Sequence, residues 1–476
     1  MGKKTKDGVR VRFVGTNNED VTGSCTHIQS KEVQILLECG LYQSCGDVLG
    51  DYRTNSRKFD FKPKEINYVF VGHNHIDHIG LLPRLYKFGC TAKIIAPKNS
   101  SSIARELILN SAGIINRDSE YLTKSTGKFC EPLYTLDDVE NMFEHWCEYE
   151  VDEVVELDDN VKFKFLYSQH ILNACQIELW IKNGNTIKKI GYTSDLGNIS
   201  VDNNFAQKFQ PIEKCNILIG ECTYNKKQRG IGGKDRLKDL EKIELVVRQT
   251  CLEKRGKVFI PSFANARLQQ ILFDLYSIFG KDNEFKTKII VDTPLGSNIT
   301  KLYAQELEGE DKQKFRDMLN WSNLVFTTSH EESQKYMASK EPIVAIASSG
   351  FLVAGRSVNW IKSILPKKNN HVLFVGFSPA SSVAGIIKEG KKESVKINGK
   401  PIRNKCNITD LKSYSSHMQY EDLLNYYSNV NCEKVALVHG EFSGKLEFAN
   451  ELQEEISKKN KTSKVVIVNK STEILL

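Results

Sequence analysis

The stretch Tyr68-Val-Phe-Val-Gly-His-Asn-His-Ile-Asp-His-Ile-Gly80 decides how the rest of this 476-residue chain is read. Four potential metal ligands, His73, His75, Asp77 and His78, fall within six residues directly after an apolar, strand-like run. Imidazole nitrogen and carboxylate oxygen are the donor set that suits Zn²⁺ in a hydrolytic site. A strand ending in a tight turn points alternate side chains into one pocket. His73 and His75 can then face one metal while Asp77 and His78, a turn further on, face a second. The competing reading is a polar loop with scattered histidines. Only ten histidines exist in the chain and three stand here, which favours a site.

Composition sets the frame. Hydrophobic residues at 40% and charged residues at 26% are an ordinary globular balance, and the length predicts two or three domains. No apolar run approaches the roughly 18 residues that span a bilayer, so no membrane partner is expected. The basic start, Met1-Gly-Lys-Lys-Thr-Lys6, has no apolar stretch after it and no Ser or Thr at residue 6. Neither a secretory signal nor myristoylation is expected. Twelve cysteines without a C-x-x-C pair argue against a cysteine zinc site and for reduced thiols in the cytoplasm. The net charge of +7 permits a polyanionic substrate without demanding one. The lysine-rich runs at 226–242, 367–368, 391–405 and 458–464 read first as solvated faces.

Short apolar runs at 9–14, 25–29, 33–39, 66–71 and 93–96, punctuated by Gly and Asn, predict strands. Three- and four-residue apolar spacing predicts helices over 101–115 and 136–149. Strands return at 161–166, 174–181 and 187–192. From about Cys222 the pattern becomes helix 237–254, strand 257–260, helix 268–279, strand 288–291 and helix 299–307. Strands alternating with helices imply a parallel sheet covered on both faces. After about Asp410 come helix 420–428, strand 434–438, helix 444–457 and strand 464–468. The second unit therefore looks inserted into the first: 1–221, then 222–409, then a return at 410–476.

A dinuclear site needs ligands beyond one loop, and strand ends hold ligands rigidly. His170, Asp195 and His439 each follow an apolar run, while His417 sits before a predicted helix. Singly, each reads as a structural residue. Together, six of the ten histidines end up at strand or loop termini beside Gly or Ser. Ordered motifs extend the pattern: Val21-Thr-Gly-Ser-Cys25, Ile35-Leu-Leu-Glu-Cys-Gly-Leu41, Ser194-Asp-Leu-Gly197, Glu221-Cys-Thr-Tyr224, Ile260-Pro-Ser-Phe-Ala264 with Arg267, Asp292-Thr-Pro-Leu295, Ala347-Ser-Ser-Gly350 with Gly355-Arg356, Ser415-Ser-His417 and Val438-His-Gly-Glu441. With them, from about Val9 to His439, the chain resembles the metallo-β-lactamase-fold nucleases of the β-CASP family, in their RNA-processing branch.

The resemblance implies an α/β fold, a metallo-β-lactamase αββα sandwich with an inserted β-CASP domain of parallel-sheet type. It implies two Zn²⁺ per chain, one held by His73, His75 and His170, the other by Asp77, His78 and His439, with Asp195 bridging. Glu221 would support His417 as the proton donor to the leaving oxygen, and a hydroxide bridging the metals would attack phosphorus. Arg267, Ser349, Arg356 and Ser415 are the implied substrate contacts; the arginines read equally as ion-pair partners. His439, where relatives acting on DNA usually have Val, points to single-stranded RNA. A homodimer is compatible. The chain departs from the family at Glu38, usually Asp and not a direct ligand, at Cys222 and Asn225, and at Asn359 and Trp360, where a histidine pair often stands and substrate contact would change. Two rival readings are a related metallo-hydrolase acting on DNA or a small ester, and a non-catalytic RNA-binding paralogue.

Overall fold

The computed structural model describes residues 8–44, 46–201, 205–227, 233–376, 378–390 and 392–476. The basic start at 1–6, residues 228–232 of one lysine-rich run and Lys391 of another lie outside the described residues. The chain forms two compact units. One comprises Met1–Ile199, Ala206–Gly230 and His417–Leu476; the other, Ser200–Phe205 and Ile231–Ser416.

In the first unit, alternation of apolar and polar residues builds strands with one buried face. Val11 and Phe13 point inward from Arg10–Phe13 while the two arginines point out, and Val161, Phe163 and Phe165 do the same between lysines. Two seven-stranded sheets result. The first runs in the order Glu473–Leu475, Arg10–Phe13, Thr26–Gln29, Gln34–Leu37, Tyr68–Phe70, Lys93–Pro97, Trp146–Tyr149. The second runs Lys464–Ile467, Lys434–Val438, Ile217–Glu221, Thr186–Tyr192, Cys175–Asn183, Val161–Tyr167, Val155–Glu156. Their inner faces share one core that includes Val11, Ile35, Phe70, Phe163, Ile177 and Ile219. Truncating fully buried Phe163 to Ala would cost about 3–5 kcal/mol, because the lost transfer energy and the cavity add.

Helices seal both outer faces. Leu82–Lys87, Ser101–Thr126 and Leu136–Phe143 cover the first sheet through Leu82, Ala104, Ile108 and Val139. Tyr420–Asn429 and Phe442–Lys458 cover the second through Leu423, Leu424, Phe448 and Leu452. This is the expected αββα sandwich. The expected helix 136–149 is corrected: it begins at a Thr135–Asp138 capping box and stops at Phe143. Trp146–Tyr149 instead pairs parallel with Lys93–Pro97 as an edge strand. The three-residue spacing of Phe143, Trp146 and Tyr149 imitates a helix, but sheet pairing overrides it. The helix expected over 101–115 runs on to Thr126, where Gly127 ends it at φ 67°.

In the second unit six strands form a wholly parallel sheet, in the order Leu324–Phe326, Lys288–Val291, Ile343–Ala347, Val258–Pro261, His371–Val375, Asn407–Leu411. Its inner strands are buried, largely apolar runs such as Ile-Val-Ala-Ile-Ala, while the edge strand Asn407–Leu411 keeps Asn, Thr and Asp. The last strand belongs to this sheet, so the expected boundary at 409/410 falls inside it. A separate hairpin, Ser394–Ile397 with Lys400–Arg403, packs Val395 and Ile397 into the core around Trp360. Among the described residues no helix is long and apolar enough to cross a membrane, and no cysteine is paired.

Candidate metal centre

The strands of the sandwich deliver their functional side chains from one kind of turn. Glu38, Gln169, Ser194 and His439, each within two residues of a strand end, have φ of 61°, 61°, 50° and 50°. Non-glycine residues rarely adopt this left-handed conformation, and its cost of order 1–3 kcal/mol each is sustained only where surrounding structure imposes it. The register explains the convergence. Leu37 pairs with Phe70, placing Glu38 and His73 after neighbouring strands. Thr186–Tyr192, Ile217–Glu221 and Lys434–Val438 are adjacent and parallel, placing Asp195, Glu221 and His439 side by side.

The histidine-rich loop is clamped by its backbone. Ser24 N–H donates to Asp77 O at 2.8 Å, Cys39 N–H to His78 O at 2.9 Å and Leu41 N–H to Ile76 O at 3.0 Å. A Cβ on Gly40 would lie 1.6 Å from Asp77 O, and one on Gly197 would lie 1.9 Å from Gln169 O. These two glycines let neighbouring segments close over the ligand loops.

The side chains form two donor clusters sharing one carboxylate. In the first, His73 Nε2 and His170 Nε2 lie 3.1 Å and 3.3 Å from His75 Nδ1, and 3.5 Å and 3.7 Å from Asp195 Oδ2. In the second, Asp77 Oδ2 lies 3.6 Å from His78 Nε2 and 3.5 Å from His439 Nε2, and Asp195 Oδ1 lies 3.3 Å from His78 Nε2. Asp195 Oδ1 is buried and accepts no hydrogen bond. A tetrahedral zinc with bonds of about 2.0–2.1 Å keeps its ligand atoms about 3.3 Å apart, so the donor spacings and the orphaned oxygen both fit zinc.

Electrostatics agree. Burial, then the charge of His78, hold His73 well below its usual pKa, and burial lowers His75 to about 4. Both therefore present neutral rings with free lone pairs at neutral pH. Burial would also lower His78, but Asp195, Glu38 and Asp77 outweigh it and hold the group well above its usual value. Burial opposes ionisation of Asp195, yet the charges of His439 and His78 hold it well below the usual carboxylate range. Three carboxylates thus create a field that demands a cation.

The supporting bonds select tautomers. Glu38 accepts from His78 Nδ1 and Tyr192 O–H at Oε2, and at Oε1 from Ser194 O–H at 2.8 Å and Gly72 N–H at 3.3 Å. Its lone pairs are occupied, so it orients ligands although it lies close to His73 and His78. Because the Ser194 hydroxyl donates to Glu38, it accepts from His73 Nδ1–H at 3.1 Å, which leaves His73 Nε2 bare toward the cluster. Thr223 Oγ1 lies 2.9 Å from His439 Nδ1. Ser194, Tyr192 and Thr223 escaped the sequence reading; their signal was adjacency to Asp195 and Glu221.

His417 stands outside both clusters, its ring 4.6 Å from that of His170, and keeps 18% of its side chain exposed. Its Nδ1 lies 3.1 Å from Glu221 Oε1, and buried Glu221 also accepts from Leu196 N–H and Thr223 N–H, both at 2.9 Å. Burial would lower the His417 pKa, but the charge of Glu221 outweighs it and raises it.

The sequence-derived substrate residues belong to the other unit. Arg356 is held by Asp292 and donates to Thr327 Oγ1 at 2.9 Å, the ion-pair alternative. Trp360 is fully buried and donates to the same Asp292 at 2.6 Å, so the expectation that it alters substrate contact is corrected: it is a core residue. Asn359 is exposed. Arg267 lies over the Tyr414 ring at 5.7 Å, Ser349 is half-buried beside Ala354 O, and Ser415 is buried.

Comparison with known proteins supplies the family. Residues 268–387 match the Beta-Casp domain, and residues 401–463 the Zn-dependent metallo-hydrolase RNA specificity domain. The chain is similar to transcription termination factor FttA of Methanocaldococcus jannaschii, with 26% identity over 460 residues covering 93% of this chain and 68% of that protein. A ribonuclease of Thermus thermophilus is 25% identical over 432 residues, covering 89% of this chain and 91% of its own. An RNase J-like protein of Methanocaldococcus jannaschii is 26% identical over 439 residues, covering 90% and 91%. A solved structure, a protein of unknown function from Enterococcus faecalis, aligns with a TM-score of 0.54 at 12% identity over 98% of this chain and 100% of that one, a likeness of fold alone. The two matched domains, the αββα sandwich and the similarity to ribonucleases over about nine-tenths of the chain together support the metallo-β-lactamase-fold β-CASP ribonuclease family.

Proposed function

We propose that the chain is a zinc-dependent ribonuclease that hydrolyses phosphodiester bonds of single-stranded RNA with two zinc ions per chain. The observation that carries this reading is the Asp195 carboxylate, whose two oxygens divide between two donor clusters. In this reading His73, His75, His170 and Asp195 hold one metal, and Asp77, His78, His439 and Asp195 the other. When bound, such a pair supplies an acidified water as nucleophile near neutral pH and positive charge for the phosphoryl oxygens.

The chain's own residues do the remaining work. Glu38, Ser194 and Thr223 hold ligand rings so that bare nitrogens face the clusters. Because carboxylates favour a proton on His78, loading metal releases one. His417 is the general acid. Glu221 keeps it protonated and binds its Nδ1, leaving Nε2–H to protonate the departing ribose oxygen. His439 in the second cluster and the ribonuclease names of two relatives support RNA as the polymer. Arg267, Ser349 and Ser415 remain proposed phosphate contacts. Every donor position is filled, which counts against a non-catalytic paralogue.

Cleavage of end-labelled single-stranded RNA, beside DNA of the same sequence and both duplexes, tests the reading. Single-stranded RNA should be cut and the others slowly or not at all. Equal rates on single-stranded DNA would remove the RNA assignment while leaving the phosphodiesterase chemistry.

A further inference from the structure

The inserted unit joins two lysine-rich runs that the sequence keeps apart. We propose that the face they form binds the phosphate backbone of single-stranded RNA, an inference that rests on the ribonuclease reading above. The hairpin pairs Ser394 with Arg403 and Lys396 with Pro401, while Val395 and Ile397 point into the core. The ribbon continues past its last formal pair: Asn404 N–H donates to Glu393 O at 2.8 Å, and Asn404 Nδ2 to Lys392 O at 3.4 Å. Side chains alternate faces along a strand. Lys396 and Arg403 therefore share the outward face, and Lys392 and Lys405, just beyond the two paired strands at the same end of the ribbon, are exposed beside them, with Glu393 the one acid of the ribbon.

The second run arrives through backbone bonds. Lys405 N–H donates to Leu365 O at 2.8 Å and Asn407 Nδ2 to Lys368 O at 3.3 Å, bringing exposed Lys367 and Lys368 to the same end of the ribbon. Among the described residues none of these cations has a carboxylate within ion-pair distance. Some exposed lysines elsewhere do, as Lys62 with Glu65 at 2.6 Å, Lys226 with Glu441 at 2.8 Å and Lys458 with Glu455 at 2.6 Å. Like charges crowded without counter-charge repel, and a polyanion relieves that repulsion.

The surroundings select the kind of polyanion. Large exposed hydrophobics occur elsewhere on the chain but nowhere from 354 to 441 among the described residues. A membrane-binding surface carries apolar anchors beside its cations, and a protein interface carries aromatic ones. Bare cations on a narrow ribbon match repeating phosphates, which need charge and little else.

The test uses the full chain with Lys392, Lys396, Arg403 and Lys405 each changed to Gln, none of them in the metal centre. Binding of a labelled RNA of about 30 nucleotides is followed under chelator, so that nothing is cut, across a salt series. Each lost phosphate contact should lower the slope of log affinity against log salt by about 0.7, so about 3 for four contacts, with affinity at low salt down tenfold or more. Hydrolysis of bis(p-nitrophenyl) phosphate by the zinc-loaded variant should match the parent, which guards against misfolding. Unchanged RNA affinity and slope would overturn the proposal even if the parent cuts RNA. So would loss of binding to phosphatidylserine vesicles, or to a poly-glutamate peptide, with RNA binding intact. If the parent binds the RNA and the variant does not, yet no RNA is ever cut, the basic face stands and the ribonuclease reading falls.

Discussion

Changing Glu38 to Gln alters almost no volume, yet the structure assigns it a large cost. The carboxylate accepts four hydrogen bonds, from His78 and Tyr192 on one oxygen and from Ser194 and Gly72 on the other. An amide presents one accepting oxygen, so two of the four donors would face an NH₂ group. Each buried donor left unsatisfied costs about 1–3 kcal/mol, or roughly 2–6 kcal/mol for the pair. Whichever way the amide lies, either His78 loses the partner that fixes its tautomer or Ser194 loses the one that fixes His73. Loss of such an orienting partner typically lowers metal affinity 10–100-fold. Urea unfolding of the metal-free protein reads the first effect, and zinc competition against a chelator reads the second. Glu38→Asp keeps the charge but withdraws it by about one C–C bond, near 1.5 Å, and should fall between parent and Gln. Parent-like stability and parent-like zinc affinity in Glu38→Gln would refute the argument that these bonds orient the ligands.

Other outcomes follow from the same geometry. His417→Ala should slow RNA cleavage by about 10²-fold or more while zinc content stays at the parent level; loss of zinc would make His417 a ligand. Glu221→Gln removes the charge that raises the His417 pKa, so the alkaline limb of the rate profile should move to lower pH; an unmoved limb would separate His417 from the proton transfer. His27 is held near a pKa of about 4 by burial and then by Arg12. Its folded pKa lies below the unfolded one, so the unfolded chain takes up the proton first and stability is lost as pH falls from about 6.5 toward 4. Between pH 7.5 and 5 this amounts to about 2 kcal/mol. In His27→Gln the unfolding midpoint should fall less steeply with acid, and an identical acid slope would contradict this.

The site was legible because its chemistry is local. His73, His75, Asp77 and His78 sit in six residues, and strand ends mark the remaining donors. What escaped was three-dimensional. Ser194 and Thr223 gain their roles only when register brings Glu38 to His73 and Val438 beside Glu221. The edge strand Trp146–Tyr149 carries helix-like spacing that only its pairing with Lys93–Pro97 overrides. Asp292 appeared as part of a motif, but its bonds to Thr327, Ser333, Arg356 and Trp360 make it the tie-point of the inserted unit's core. The stretch from about residue 310 to 410 is hard to read from sequence because short strands such as Ile343–Ala347, buried throughout in a parallel sheet, carry no alternation.

Zinc content measured alongside cleavage tests the central claim most directly. The purified chain should hold about two zinc ions, lose single-stranded RNA cleavage when chelator strips them, and regain it in step with zinc added back, while Asp195→Ala stays folded, short of metal and inactive. Full cleavage by protein shown by elemental analysis to be free of metal would contradict it.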